Sequence, residues 1–227
     1  MKKVVIIGAG GFGREALDVF DACNQDNPEY DVLGFIVQSQ FAKPGEMVYG
    51  KPILGDFAWL EGRSKDVYAI CSLGAPHHRR RLIGMAEKAG ARFCSVVHPL
   101  TVINRGTTMG EGVIINGNCS ISSSIRIGDY VHINAATLIG HDAVLKDFVT
   151  VSPGVMISGK VTIEEGAFIG IGAIIIEKIT IGAWSVVGAG TTIVNDVPEN
   201  TTVVGVAGKV IKTRPAGWQN QIDGEAL

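Results

Sequence analysis

Residues 109–140 read MGEGVIINGNCSISSSIRIGDYVHINAATLIG. Every sixth residue in this stretch is aliphatic: Met109, Ile115, Ile121, Ile127, Ile133 and Ile139. Carried outward, the same step meets Ile103 and Val97 on one side. On the other it meets Leu145, Val151, Ile157, Ile163, Ile169, Ile175, Ile181, Val187 and Ile193. At a 46% apolar composition, an unbroken run of this length has odds of roughly two in a million by chance. A smaller residue stands two places before most of these positions, as at Val113, Cys119, Thr137, Ala143 and Ala167. Glycine follows the aliphatic residue at 110, 128, 140, 170, 182 and 188.

A period of six matches neither the 3.6 of a helix nor the 2 of a simple strand. It fits a coil with flat sides, each side one hexapeptide with a turn at its corner. The aliphatic residue points inward once per side, and the smaller residue fills the space near the corner. Three sides close one coil of 18 residues, and residues 18 apart stack at about the ordinary strand spacing of 4.8 Å. The repeat region, 97 to 198, holds nearly six such coils, a prism of about 27 Å.

Upstream the periodicity is different. Val4-Val5-Ile6-Ile7 is a short, wholly apolar run, as a strand buried on both faces should be. The glycine loop Gly8-Ala9-Gly10-Gly11-Phe12-Gly13 follows, then a helix expected over 14–23. Further strands are expected over 32–37, 67–71 and 93–97, with a helix over 77–89 that stops at Gly90. Alternating strands and helices of this kind form a small parallel sheet. The chain therefore divides into an α/β Rossmann-like half domain over 1–96, an all-β parallel β-helix over 97–211 and a C-terminal tail over 212–227.

Composition narrows the function classes. Lys plus Arg is 20 against 22 Asp plus Glu, so no basic excess points to nucleic acid or an anionic membrane. No apolar run approaches the ~20 residues of a membrane span, and the first residues do not read as a signal peptide. Glycine is 30 of 227 and aromatics are 7%, which suits tight turns around a core of small aliphatic side chains. The four cysteines, Cys23, Cys71, Cys94 and Cys119, form no C-x-x-C pair and read as reduced thiols of a cytoplasmic protein.

Gly8-x-Gly10-x-x-Gly13 lies between a strand and a helix, where backbone N–H groups can approach a phosphate closely. A dinucleotide fold also places an acid at the end of its second strand. Val37 and Gln38 stand there instead, so NAD chemistry is disfavoured. A nucleotide or nucleotide-sugar site and a purely structural turn remain. His77 and His78 open a helix beside Arg79, Arg80 and Arg81. That cluster reads either as a solvated helix start or as a phosphate contact.

His141 lies two places after Ile139, where the coil turns a corner and side chains project outward; Asp142 follows it. A carboxylate beside an imidazole fixes its tautomer and supports its basicity. One coil later stands Gly159, whose bare backbone N–H could face a reacting carbonyl. Base and oxyanion donor would then share one edge. An ordinary surface histidine is the competing explanation. A zinc site is disfavoured, because His132 and His141 are nine apart with no ligand set around them.

The hexapeptide run, with its closing stretch from Asn195-Asp196-Val197-Pro198 to Gly205-Val206-Ala207-Gly208, resembles the hexapeptide-repeat acyltransferases, whose repeats wind a left-handed β-helix. Joined to the opening Gly-Ala-Gly-Gly-Phe-Gly-Arg-Glu of residues 8–15, it resembles the sialic-acid O-acetyltransferase and nucleotide-amino-sugar N-acetyltransferase family over nearly the whole chain. The resemblance implies acetyl transfer from acetyl-CoA, without metal, to a nucleotide-linked amino sugar for surface polysaccharide or glycan biosynthesis. O-acetylation of a sugar or sialic-acid-type hydroxyl and a non-catalytic scaffold are the alternatives. It implies His141 as base with Asp142, and the Gly159 N–H as oxyanion donor. Substrate contacts are implied at Gly8, Gly10, Gly11, Phe12, Gly13, Val37, Gln38 and Gly74. Relatives acting on UDP-linked sugars carry an acidic pair where Val37-Gln38 stands, so a uridine nucleotide is disfavoured. Several relatives have a second histidine on acetyl-CoA where Thr150 stands, so that contact is changed. Ile171 and Ala189, a ladder along a corner, are expected on the pantetheine arm, with Gly159 beside it and Lys209 near the coenzyme phosphates. The family forms homotrimers, and Phe148, Phe168 and Trp184 are expected either at that interface or against the chain's own terminal segment.

Overall fold

The computed structural model describes residues 1–63 and 65–220. Residues 221–227 of the expected tail lie outside that range. The N-terminal half is a six-stranded sheet. Its elements in chain order are β1 (Lys2–Ile7), α1 (Gly11–Cys23), β2 (Tyr30–Ile36), β3 (Met47–Val48), β4 (Lys51–Gly55), β5 (Val67–Cys71), α2 (Pro76–Lys88) and β6 (Arg92–Phe93). The order across the sheet is β3-β4-β2-β1-β5-β6, with only β3 antiparallel to its neighbour. Val4 to Ile7 are fully buried at its centre.

The helix expected from residue 14 begins at Gly11, so the second half of the glycine loop is already its first turn. A Cβ at residue 13 would lie 2.2 Å from the Gly8 carbonyl oxygen. Gly13 therefore brings α1 close onto β1. The strand expected over 93–97 is two strands. Arg92–Phe93 pairs with β5, whereas Val96–Val97 pairs with Ile114–Ile115 and opens the prism. Ser95 explains the break: its hydroxyl donates to the Gly110 carbonyl and accepts from the Val113 N–H, which makes it a coil corner.

The second half is a left-handed β-helix of three parallel faces, built from two-residue strands that pair with those 18 residues away. Ile115, Ile133, Val151, Ile169 and Val187 stack along one face with no exposure. The inward pattern fails only at the open end. Ile103 and Met109 remain exposed because no coil lies beneath them. The corners adopt left-handed backbone at Asn118, Ser124, Tyr130, Ala136, Asp142, Phe148, Lys160, Lys178 and Trp184, with glycine at others. For non-glycine residues this costs roughly 1–2 kcal/mol each, offset by the backbone bonds that each corner makes to the next coil. At the far end Thr201–Val204 continues one face and pairs with Lys209–Thr213 as a hairpin.

The two halves meet on the face that carries His132 and Thr150. Arg79 of α2 is completely buried there. Its guanidinium donates to the Leu73 carbonyl (2.7 Å), His132 Nδ1 (3.0 Å), Thr150 Oγ1 (2.9 Å) and the Phe148 carbonyl. Burial lowers its pKa to about 9, so it is still a cation at pH 7. Phe148 stacks on Tyr130, and Arg80 lies over the Trp184 ring. Arg80 also lies 6.0 Å from the Phe148 ring centroid, so among the described residues both aromatics meet their own N-terminal half.

Candidate active site

His141 follows the strand Leu138–Ile139 and Gly140. Asp142 occupies the left-handed corner at φ 59°, a conformation that Asp adopts more readily than most residues. The corner turns its carboxylate back onto the ring: His141 Nδ1 lies 2.8 Å from Asp142 Oδ2. A carboxylate only accepts, so Nδ1 carries the proton and Nε2 presents a lone pair. Both side chains are about half exposed, at 57% and 51%.

One coil on, Gly159 lies under the ring. A Cβ there would sit 2.7 Å from Nε2, so only glycine leaves room for this imidazole position. The Gly159 N–H finds no acceptor among the described residues. Gly140 keeps it clear, since a Cβ at 140 would lie 2.5 Å from the Gly159 nitrogen. The sequence had signalled Gly140 only as one of the hexad glycines. The imidazole, the Asp142 carboxylate and the unclaimed Gly159 N–H therefore share one edge.

The other expected site residues divide into three groups. Gly8, Gly10, Val37 and Gln38 line a cavity of about 230 Å³ with Phe41 and Leu73, two apolar walls for which the sequence carried no signal. Gly11 starts α1, with only Arg14 near its missing side chain. Phe12, Gly74 and Thr150 serve the packing of the halves, Gly13 packs α1 onto β1, and none of the four lines that cavity. The Phe12 ring sits 4.8 Å from the His132 ring. The Gly74 carbonyl accepts from both Arg79 and the Thr150 hydroxyl. Thr150 is 2% exposed, so the expected coenzyme contact there is corrected: its hydroxyl is already engaged on both sides. Ile171 and Ala189 are exposed and joined through the Gly190 N–H to the Ile171 carbonyl. They stack on a different corner from His141, because 171 is one coil and two further sides beyond 141. Lys209 is exposed on the final hairpin.

His132, the other histidine of the rejected metal pair, is fully buried on the docking face, half a coil from His141. Burial first, then the Arg79 charge, hold its pKa well below the ordinary value, so it is neutral. Among the described residues no helix is long and apolar enough to cross a membrane.

The family described as the PglD N-terminal domain matches residues 3–86, and the bacterial transferase hexapeptide family (six repeats) matches residues 160–195. No curated protein matches the chain. Solved structures that resemble it span both halves. PerB from Caulobacter crescentus, in complex with CoA and GDP-perosamine, is 29% identical, with a TM-score of 0.82 over 92% of this chain and 97% of its own. The same organism's perosamine N-acetyltransferase is also known with one histidine replaced by asparagine or by alanine. The acetyltransferase domain of PglB from Neisseria gonorrhoeae FA1090, with acetyl coenzyme A, is 26% identical over 92% of this chain and 99% of its own, at 0.83. WeeI from Acinetobacter baumannii AYE is 28% identical over 92% and 99%, at 0.82. The chain is an acetyltransferase with a PglD-type N-terminal domain and hexapeptide repeats, similar in structure to nucleotide-amino-sugar acetyltransferases. In this acetyltransferase the glycine-loop cavity belongs to the matched N-terminal domain, and the His141 edge belongs to the hexapeptide prism.

Proposed function

We propose that this acetyltransferase moves an acetyl group from acetyl-CoA to the amine of a nucleotide-linked amino sugar, with His141 as general base. The observation that carries this is the stack at one corner: Asp142 on Nδ1, Nε2 outward, and the unclaimed Gly159 N–H beneath. The amine lone pair attacks the thioester carbonyl carbon, and a C–N bond forms. The carbonyl electrons move onto oxygen, which the Gly159 N–H stabilises. His141 Nε2 takes the proton from the amine, and Asp142 stabilises the imidazolium. Collapse breaks the C–S bond, and the coenzyme sulfur leaves with the proton that His141 returns. Each aid contributes a factor of about 10²–10³.

The nucleotide is assigned to the glycine-loop cavity and the pantetheine arm to an edge bearing Ile171 and Ala189. Neither lies on the His141 edge of the same chain. The face with His132 and Thr150 holds the α/β half, and His141 is nine residues, half a coil, away from both. On this register the cavity and the imidazole of one chain lie to different sides of the prism. Closure about a threefold axis can bring a cavity and an imidazole together, by setting edges of neighbouring prisms face to face, so the active form is assigned as a homotrimer. The four free thiols suit a cytoplasmic enzyme of surface-glycan biosynthesis.

Replacing His141 with alanine tests the base. Acetyl transfer to an amino-sugar nucleotide, followed by thiol release, should fall at least a hundredfold in kcat with an unchanged melting curve. A rate within threefold of native removes this residue from the chemistry.

A further inference from the structure

A second cavity, of about 310 Å³, runs along α2 on the side away from the sheet, closed by the segment after the final hairpin. His77, Arg81, Gly84 and Lys88 line it at spacings of four, three and four, one face of the helix. His78, Gln219 and Asn220 complete its polar rim, and no carboxylate among the described residues lines it. Arg80 also borders it but is held by Glu165 at 3.2 Å.

Three observations suggest that this is more than a gap in the packing. Buried polar atoms in folded proteins nearly always have partners. Here His77 is 5% exposed, and its Nε2 has none among the described residues. The same holds for the neighbouring Trp218 Nε1, whose ring lies 5.2 Å from His77, and for Gln219 Oε1. Secondly, Gly84 sits inside the helix, where glycine costs about 1 kcal/mol relative to alanine. Nothing lies within 4 Å of its missing Cβ, so packing does not require it. Its effect is to leave the cavity floor open. Thirdly, burial, then the nearby His78, Arg214 and Arg81 charges, lower the His77 pKa to about 4. An anion seated here would relieve that repulsion.

We propose that this cavity is an anion site that binds a diphosphate group. Its volume corresponds to about ten waters at ~30 Å³ each, more than a single phosphate fills. Arg81 and Lys88 stand about 10 Å apart along the helix at 1.5 Å per residue, and their long side chains can grip two phosphoryl groups from either end. His77 contributes an N–H from the wall. The site shares no residue with the His141 edge or the glycine-loop cavity and does not rest on their assignment. A diphosphate could come from free pyrophosphate, from coenzyme A or from a sugar nucleotide.

Calorimetric titration of the full chain with inorganic pyrophosphate is the test. Saturable binding at one per chain is expected, weakened at least tenfold by the double change Arg81→Gln and Lys88→Gln. Gly84→Gln, which fills the floor with a good helix former, should weaken it equally. Parallel titrations with coenzyme A and with a nucleoside diphosphate identify the source: the natural ligand is the one whose affinity falls with pyrophosphate's in Gly84→Gln. No saturable binding overturns the proposal. So does binding that both sets of variants retain, or binding abolished only by Gly10→Asp in the other cavity. Circular dichroism melts confirm that each variant is folded, and the exposed pair Arg81 and Lys88 keeps the test decisive should Gly84→Gln not fold.

Discussion

Gly140 makes room for the Gly159 N–H, the oxyanion donor of the proposed reaction. Along its own ladder, positions 122, 140, 158, 176 and 194 hold Ser, Gly, Ser, Ile and Val. The coil thus accepts a side chain in this column at the other positions. At 140 a Cβ would press on the Gly159 nitrogen at 2.5 Å and on the Ser158 carbonyl carbon at 2.6 Å. Gly140 is not in left-handed backbone, so alanine is allowed conformationally, and only the next peptide must move. Gly140→Ala is therefore expected to leave the fold intact and to lower kcat by about 10²-fold, the loss typical of one misplaced oxyanion donor. Steady-state kinetics check this, and an unchanged kcat would detach the Gly159 N–H from the mechanism. Gly159→Ala should cost more, because its Cβ would also displace the imidazole. His141, Asp142 and Gly159 were visible in the sequence because an 18-residue period turns positions in the chain into neighbours in space. Gly140 was hidden among glycines that serve coil stacking: a Cβ at Gly182 or Gly170 would crowd the next peptide nitrogen as closely, at 2.4 and 2.7 Å, and only the identity of that peptide, Gly159 under the imidazole, separates Gly140 from them.

At the scale of the element, α2 is the piece that the sequence described least well. Its first turn, HHRRR, presents two histidines and three arginines, which suits a solvated surface. Arg79 and His77 are instead buried, and Arg79 binds the prism. No local pattern announces this, since burial of Arg79 follows from docking onto a face whose acceptors, Phe148 and Thr150, lie about 70 residues away. Truncating a buried, fully bonded cation leaves several carbonyls and a hydroxyl unpaired. Arg79→Met should therefore lower stability by about 3–5 kcal/mol, at about 1–3 kcal/mol for each buried acceptor left unsatisfied, read from urea unfolding; a loss below 1 kcal/mol would contradict the docking role. Two buried histidines, His132 at that interface and His77 on the opposite side of α2, also set an acid limit. His132 and His77 have folded pKa values below the ordinary 6.5, the latter about 4. Unfolding lets them take up protons, so the stability of the neutral rings is full above pH 6.5 and is lost as pH falls through the folded values. Each such histidine gives a slope of up to about 1.4 kcal/mol per pH unit. Urea midpoints between pH 7 and 4.5 should fall accordingly, and His132→Asn should flatten that slope. Equal slopes in native and variant would place His132 elsewhere than in a buried, neutral site.

For the whole molecule, the decisive fact is which corner of a three-sided coil each function occupies. The hexad register made the prism legible, because one inward aliphatic per side is a purely local requirement repeated along the chain. Which face the α/β half would cover was not legible, because it depends on Arg79, Tyr130, Phe148 and Trp184 meeting across that face. With that face known, the imidazole and the glycine-loop cavity fall on opposite sides of one chain. Mixing of subunits tests whether a neighbour completes the site. His141→Ala removes the base from one kind of subunit. Gly10→Asp puts a carboxylate into the phosphate approach of the other; nothing lies within 4 Å of the missing Gly10 side chain, and Asp suits the helix N-cap there. Each variant alone should be nearly inactive. In a trimer assembled from equal amounts, a site works when its cavity comes from one variant and its imidazole from the other. Random assembly makes about one site in four competent. Co-expressed or co-refolded mixtures should thus recover about a quarter of the native rate, whereas activity that stays at the level of the separate variants would put cavity and base in one chain and remove the need for a neighbour.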